Sequence, residues 1–326
     1  MRLRKAVKDL VATAVARLPW GLRQRIFEEL LERHTVPHDL RYDAIVRLAA
    51  SCNVHDFTVL GDQGPIRGSA RDVAILKQYA LRGRWAERTV SICKRFFANC
   101  HVGTYIDIGA NIGLTTIPIA KGQGVWCIAI EAEPTNFTYL RENIDKAGVA
   151  NSVDLCNVAV FSRTATLDLE IASANLGDHR IRPHVTDVAL QGEDQRKVVS
   201  MNARPLDDIV GHLDPDFSCL NERLAVKVDV QGAEPFVFEG GDRVLGAAGL
   251  MIVEYSPYCM ARMRANPESI LRVLEARFTR LRVAQQEEDT PSEPMPISDA
   301  IAYLRHFAEV NANNPFKYLD IIAERD

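Results

Sequence analysis

The chemistry in this chain concentrates in a few short segments. The first is YIDIGANIG, residues 105–113: an apolar strand, a turn carrying Gly109 and Gly113, and the start of a helix. A glycine at the end of a strand lets the chain bend and lets a ligand approach the backbone. The next apolar run, VWCIAI, ends in Glu131, 22 residues after Gly109. A carboxylate at that position accepts both hydrogen bonds of a ribose diol. A glycine-bearing first turn followed by an acid ending the second strand points to an adenosine ligand.

The turn chemistry distinguishes between adenosine ligands. Nicotinamide folds use G-x-G-x-x-G, where a helix N-terminus receives a diphosphate. Here the frame is D-x-G-x-N-x-G, and Asp107 would repel a phosphate. A carboxylate suits a ligand carrying ammonium and sulfonium groups, which is S-adenosylmethionine. Asn111 either bonds the methionine end of that ligand or braces the turn, and Asp107 alternatively caps it. A nicotinamide oxidoreductase and a non-catalytic scaffold that keeps the fold are the competing readings.

Positioning these residues requires strands that alternate with helices. The sequence predicts strands at 104–108, 125–130, about 153–160, 224–228 and 250–253. Helices are expected at about 113–121, 135–147, from 234 and at 266–277. A strand at 280–283, a helix near 298–310 and a strand at 316–323 follow, the last two strands forming a closing hairpin. That alternation reads as α/β with a doubly wound parallel sheet. Short apolar strands fit burial on both faces. Residues 161–205 form an insertion with an alternating segment, 164–170, and then a polar loop, SANLGDHRIRPH. A connection this long is expected to serve as a lid or substrate loop. Residues 56–69 read as a short strand and a turn, with helices at 70–82 and 85–99.

The blocks YIDIGANIGLTT, AIEAEPTNFTYLRENI, NVAVFS, VKVDVQGAEPFVFEGG and MIVEYSP, in this order, resemble the FkbM-type methyltransferases. The lead-in RDVAILKQYALRGRW is similar as well, so the likeness spans roughly residues 55–260. The resemblance implies a seven-stranded Rossmann-like fold and methyl transfer from S-adenosylmethionine, typically to hydroxyl oxygens of sugars or natural products. It implies that Asp107, Gly109, Asn111 and Gly113 line the methionine side. Glu131 holds the ribose, beside Ala132, Glu133 and Pro134, and Asn157 and Ala159 lie near the adenine. The family's fourth block often reads D-V-E-G-A-E, whereas this chain has Gln231 at the third position. A role needing negative charge there is therefore put in doubt.

Methyl transfer to an alcohol needs alignment of oxygen, carbon and sulfur and a base for the alcohol proton. Ligands of such sheets bind at the carboxyl ends of the strands, so Asp229, ending the fourth strand, is a candidate base or acceptor anchor. Lys227 faces the same side two residues earlier and is a catalytic or charge-balancing partner. Glu234 and Glu254 border the expected acceptor side, and Glu234 also suits a helix first turn. In the insertion, His179 is a second candidate base, and Asn175, Asp178 and Arg180 are candidate acceptor contacts. No metal site is indicated.

Composition is ordinary for a globular protein: 326 residues, 47% hydrophobic, 25% charged, and a net charge of −4. That balance argues against a nucleic-acid-coating role. The uncharged stretch 108–120 has 13 residues and contains Asn, Pro and Gly. A membrane-crossing helix needs about 20 apolar residues. The seven cysteines show no C-x-x-C spacing, so neither a disulfide framework nor zinc is indicated, and a cytoplasmic location is expected. Residues 1–25 carry seven Lys or Arg and a single acid, Asp9, with apolar residues at helical spacing over 1–18. This basic amphipathic helix either touches a membrane surface or packs on the domain or a second subunit. Residues 1–50 are read as a helical extension and 51–326 as the methyltransferase domain, with 51–99 as lead-in and 100–260 as core.

Overall fold

The structure is a computed structural model. It describes residues 38–325 except 99, 187, 189–194, 222 and 286–289, together with 19, 21, 22 and 25. The helical readings for residues 1–18 and for most of 20–37 lie outside the described residues. The chain divides into two compact units, residues 1–55 and 56–326. The first holds helix α1, His38–Ser51, and everything below concerns the second.

The second unit opens with a hairpin, β1 (Asp56–Gly61) and β2 (Gly64–Ser69), followed by α2 (Ile75–Arg82) and α3 (Glu87–Phe96). Both halves of the 56–69 segment are therefore strands. The central sheet then begins with β3 (Gly103–Ile108), α4 (Thr116–Ala120), β4 (Val125–Ile130), α5 (Pro134–Lys146) and β5 (Val153–Cys156). Helix α5 starts where the sequence supplies a cap: the Glu133 carboxylate accepts the Asn136 N–H at 2.7 Å, with Pro134 in the first turn. Such capping satisfies a donor the helix leaves open.

Residues 159–204 build a separate small sheet. Its strands are β6 (Ala159–Val160), β7 (Ala165–Ile171), β8 (Arg180–Ile181) and β9 (Lys197–Arg204), in the order β6-β9-β7-β8. The expected strand 153–160 is thus split between two sheets, and the insertion carries strands on either side of its polar loop. The small sheet is tied to the core by a fully buried ion pair, Arg262 with Glu170.

The chain returns to the central sheet through α6 (Leu206–Leu213), β10 (Arg223–Val228), α7 (Glu234–Glu239), α8 (Asp242–Ala247) and β11 (Leu250–Tyr255). It closes with α9 (Pro257–Arg262), α10 (Glu268–Arg277), β12 (Arg280–Ala284), β13 (Met295–Pro296), α11 (Ile297–Asn311) and β14 (Leu319–Glu324). The strand order is β13-β12-β14-β11-β10-β3-β4-β5. Strands β5, β4, β3, β10 and β11 are parallel, and β14 runs antiparallel between β11 and β12. This is the expected seven-stranded Rossmann-like sheet, extended by the two-residue edge strand β13. The last two long strands pair antiparallel, but α11 separates them in sequence, so they are not a tight hairpin.

Period-2 alternation splits the core into two layers. Ile106, Ile108, Ile128, Ile130, Val226 and Val228 pack on one face. Tyr105, Cys127, Ala129, Ala225 and Ile252 pack on the other. Both faces are covered, which explains the nearly continuous apolar runs. The chain winds from β3 to β5 in one direction and from β10 onward in the other. The gap between the ends of β3 and β10 is therefore the topological switch point, where such sheets bind ligands.

Candidate functional site

Gly109 follows β3 and Asp229 follows β10, and the two strand ends nearly touch. Gly109 has φ +82°, and a Cβ there would lie 1.9 Å from the Asp229 carbonyl oxygen. Any side chain is excluded both by conformation and by contact with immovable backbone. Gly113 also has positive φ, but it faces Leu140 and Ile117 in the core rather than the cavity.

A cavity of about 650 Å³ opens at this switch point. Its volume falls in the range of small-molecule sites. Gly109, Asn111, Glu131 and Ala159 line one part of it, and Lys227, Asp229, Gln231 and Glu254 another. Asn175, Asp178, His179 and Arg180 reach it from the insertion. The structure thus brings most of the sequence-predicted residues to one space. Asp107, Gly113, Asn157 and Glu234 are not in its wall.

Those four residues support the wall from behind. Asp107 is fully buried, and its Oδ2 accepts the hydroxyls of Thr115 at 2.5 Å and Thr116 at 2.7 Å. Asp107 and Lys227 are register partners on adjacent strands, and their charged atoms lie 3.3 Å apart. Asp107 therefore anchors Lys227 and the start of α4 instead of lining the methionine side. The Asn157 amide donates to the carbonyls of Glu131 and Ala132 at 2.9 and 3.0 Å, bracing that loop. The Glu234 carboxylate accepts the N–H groups of Val230 at 2.9 Å and Gly232 at 2.9 Å. It closes its own turn, fully buried, rather than facing an acceptor.

Glu131 is 6% exposed. Its Oε2 accepts the Asn111 N–H and its Oε1 the Glu133 N–H, each at 2.8 Å. These bonds orient the carboxyl toward the cavity and leave lone pairs for two further donors. Burial pushes it up to about 7, even though the two backbone donors pull the other way. A vicinal diol donating to both oxygens would favour its ionised form. The residues present therefore fit a ribose, and the glycine-bearing turn beside it allows close approach of the rest of an adenosyl ligand.

Lys227 holds the switch point together. Its ammonium donates to the Gly109 carbonyl at 3.2 Å and lies 3.5 Å from Asp229 Oδ2. Burial works against its charge, but Asp107 and Asp229 outweigh that and hold it above its ordinary value. A lysine kept cationic is no proton acceptor. The structure corrects the catalytic reading of Lys227 to that of a residue that positions Asp229 and the Gly109 turn.

His179 is corrected in the same way. Its Nδ1 accepts the Ala172 N–H at 3.0 Å, which assigns the ring proton to Nε2. Burial lowers its proton affinity. The lone pair a base would use is already committed, and the ring presents a donor to the cavity. Asp178 bridges Arg180 and Arg196, each at 2.6 Å. Asn175 Oδ1 accepts the Gly177 N–H at 3.0 Å. The loop is fastened over the cofactor-side turn: Asn111 and Asn136 donate their amides to the same carbonyl, Leu176, at 3.0 and 2.9 Å. The reading of Asn111 as a brace is the one the contacts support.

Asp229 lines the cavity with its side chain 34% exposed. Glu254 lies across from it, held well above the usual carboxylate range by burial and by the negative charges of Asp229, Asp320 and Glu234. Sequence reasoning missed several wall residues: Trp85, Arg196, Phe316, Tyr318 and Asp320. Trp85 closes the lead-in block, and the others come from segments outside the motifs. Phe316 is 83% exposed at the cavity wall.

Residues 107–279 match the methyltransferase FkbM domain. No curated protein matches the chain significantly. Among solved structures, the chain is similar to the precorrin-6y C5,15-methyltransferase of Geobacter metallireducens, at 13% identity over 73% of this chain and 88% of that one, with TM-score 0.35. It is similar to an O-methyltransferase from Bacillus cereus in complex with SAH, at 12% identity over 89% and 94%, with TM-score 0.36. It is also similar to M. jannaschii TYW2 in complex with AdoMet, at 16% identity over 74% and 78%, with TM-score 0.29. With more than half of its length matched to that domain, the chain belongs to the FkbM methyltransferase family, and its cofactor is S-adenosylmethionine.

Proposed function

We propose that this enzyme methylates a hydroxyl oxygen of a small sugar-like or natural-product acceptor. The supporting observation is one continuous cavity with Glu131 in one part and the partly exposed Asp229 in another. Residues 51–326 form the catalytic domain in this reading, and the 161–205 insertion supplies the acceptor wall.

When bound, the cofactor supplies an electrophilic methyl carbon on a sulfonium that leaves as a neutral thioether. Glu131 orients the ribose. Gly109 lets the backbone of the switch point approach the ligand. Asp229 accepts a hydrogen bond from the acceptor hydroxyl and takes its proton as the oxygen bonds to carbon. Lys227, 3.5 Å from Asp229 Oδ2, holds that carboxyl in place. Glu254, whose ionisation is opposed by burial and by the neighbouring negative charges, accepts the Gln231 amide at one oxygen. The Asn175–Arg180 loop, the Trp85 ring and Phe316 exclude water from the reacting atoms.

The test is incubation with methyl-labelled cofactor and a panel of hydroxylated sugars and polyketide alcohols, with products read by mass spectrometry and NMR. A label on an oxygen, lost in Asp229→Asn, supports the reading. Label on nitrogen or carbon alone, or full turnover in Asp229→Asn, overturns it.

A further inference from the structure

Gln231 sits where two carboxyl groups meet, and the contacts of its side chain give it a role. Its Nε2 donates to Asp229 Oδ1 at 2.8 Å and to Glu254 Oε1 at 2.9 Å. One amide nitrogen, with its two hydrogens, thus spans two carboxyl groups from different strands. The backbone is arranged to put it there. Gln231 has φ +55°, a left-handed conformation that a residue with a Cβ rarely adopts. Gly232 follows at φ +107°, pressed against the Cys259 backbone so closely that a Cβ would lie 2.6 Å away. Glu234 fixes both flanking N–H groups of the turn. Strain that the surroundings over-determine is a mark of a functional position.

We propose that Gln231 is a positioning residue for the acceptor end. Its amide holds one oxygen of Asp229 and one of Glu254, leaving Asp229 Oδ2, beside Lys227, as the free acceptor for the substrate proton. The proposal rests on the reading of Asp229 as the group that meets the acceptor. The other charges facing this pair are Lys227 on β10, Asp107 on β3, Glu234 on α7, Asp320 on β14 and Arg88 on α3, which is paired with Asp320. Tyr318 borders the same space. Lys227 is the cation in contact with Asp229. Gln231 is the neutral donor that stabilises both carboxylates without adding charge. A glutamate at 231 would remove both donors and bring a third negative group against the pair.

Hydrogen bonds to a carboxylate favour its charged form. Losing them therefore raises the pH at which the pair titrates, and the two steps belong to the pair rather than to either residue. The experiment uses the full chain saturated with S-adenosylhomocysteine and labelled with carbon-13 at the Asp and Glu carboxyls. Asp229→Asn and Glu254→Gln assign the two resonances. Gln231→Met removes the donors at nearly constant length. The pair is expected to titrate about one pH unit higher in that variant and higher again in Gln231→Glu. Titration of both carboxyls at wild-type pH in Gln231→Met would overturn the proposal. Should that variant fail to fold, Gln231→Leu, which also removes both donors without adding charge, carries the test on the same terms. The readout comes from the carboxyl groups themselves, so methyl label found on nitrogen or carbon alone would refute the O-methylation reading while leaving this answer standing.

Discussion

Replacing Glu131 with glutamine tests the cofactor site through both affinity and pH dependence. In the free enzyme the carboxyl titrates near 7 because it is buried. Two ribose hydroxyls donating to it favour the ionised form, so binding releases a proton whenever the free group is protonated. Wild-type affinity should therefore fall about tenfold per pH unit below that value and level off above it. Glutamine keeps one carbonyl oxygen and loses the charge. Hydrogen bonds to a charged acceptor contribute about 1.5–3 kcal/mol each. The variant loses one such bond and weakens the other, about 2–4 kcal/mol together. That is a loss of roughly thirtyfold to a thousandfold in affinity for S-adenosylhomocysteine above neutral pH. Calorimetry in buffers of different ionisation enthalpy reads the affinity and the proton release together. A variant that binds within about threefold of wild type, or that keeps the same pH slope, refutes the assignment of the ribose to Glu131.

Other consequences follow from the same contacts. Glu131 and Glu234 both titrate near 7 in the folded chain, against 4.5 for a free carboxyl. The folded state thus keeps protons the unfolded state has lost, so their contribution to stability is present below 4.5 and is lost as pH rises to about 7. Each accounts for roughly 3 kcal/mol, and denaturant melts of the ligand-free protein should show a smaller loss over that window in Glu131→Gln than in wild type. Gly109→Ala drives a Cβ against the Asp229 carbonyl and should cost about 4 kcal/mol or more; a near-wild-type melting temperature would contradict the close approach of the strand ends. Asn136→Ala removes one of the two amides on Leu176, costing about 1–2 kcal/mol, and should make the 172–180 loop a faster site of limited proteolysis. Arg262→Met removes one of the two arginines paired with Glu170, leaving Arg182 on the other oxygen, and should destabilise by about 1.5–3 kcal/mol, the range for a hydrogen bond to a charged group, read by denaturant melts.

The residues legible in the sequence are those whose position follows from chain direction alone. Gly109, Glu131 and Asp229 each follow an apolar strand and Glu254 lies in the last two residues of one, and parallel strands deliver all their ends to one edge. Asp107 was legible as a member of the motif but not as a support, because its direction depends on α4 packing Thr115 and Thr116 against that face. His179 read as a base because the sequence does not show the Ala172 N–H that occupies its lone pair. The small sheet was half seen: β7 alternates plainly, whereas β9, KVVSMNAR, is set by pairing with a strand about 30 residues earlier in the chain. Phe316 and Asp320 reach the cavity because β14 inserts beside β11, a placement that local pattern does not encode.

The central claim is that the switch-point cavity is built for an adenosyl sulfonium and not for a dinucleotide. Calorimetric titration of the full-length protein with S-adenosylmethionine, S-adenosylhomocysteine and NAD tests it directly. The two sulfur ligands are expected to bind and NAD is not. Binding of NAD with silence from both sulfur ligands would contradict it.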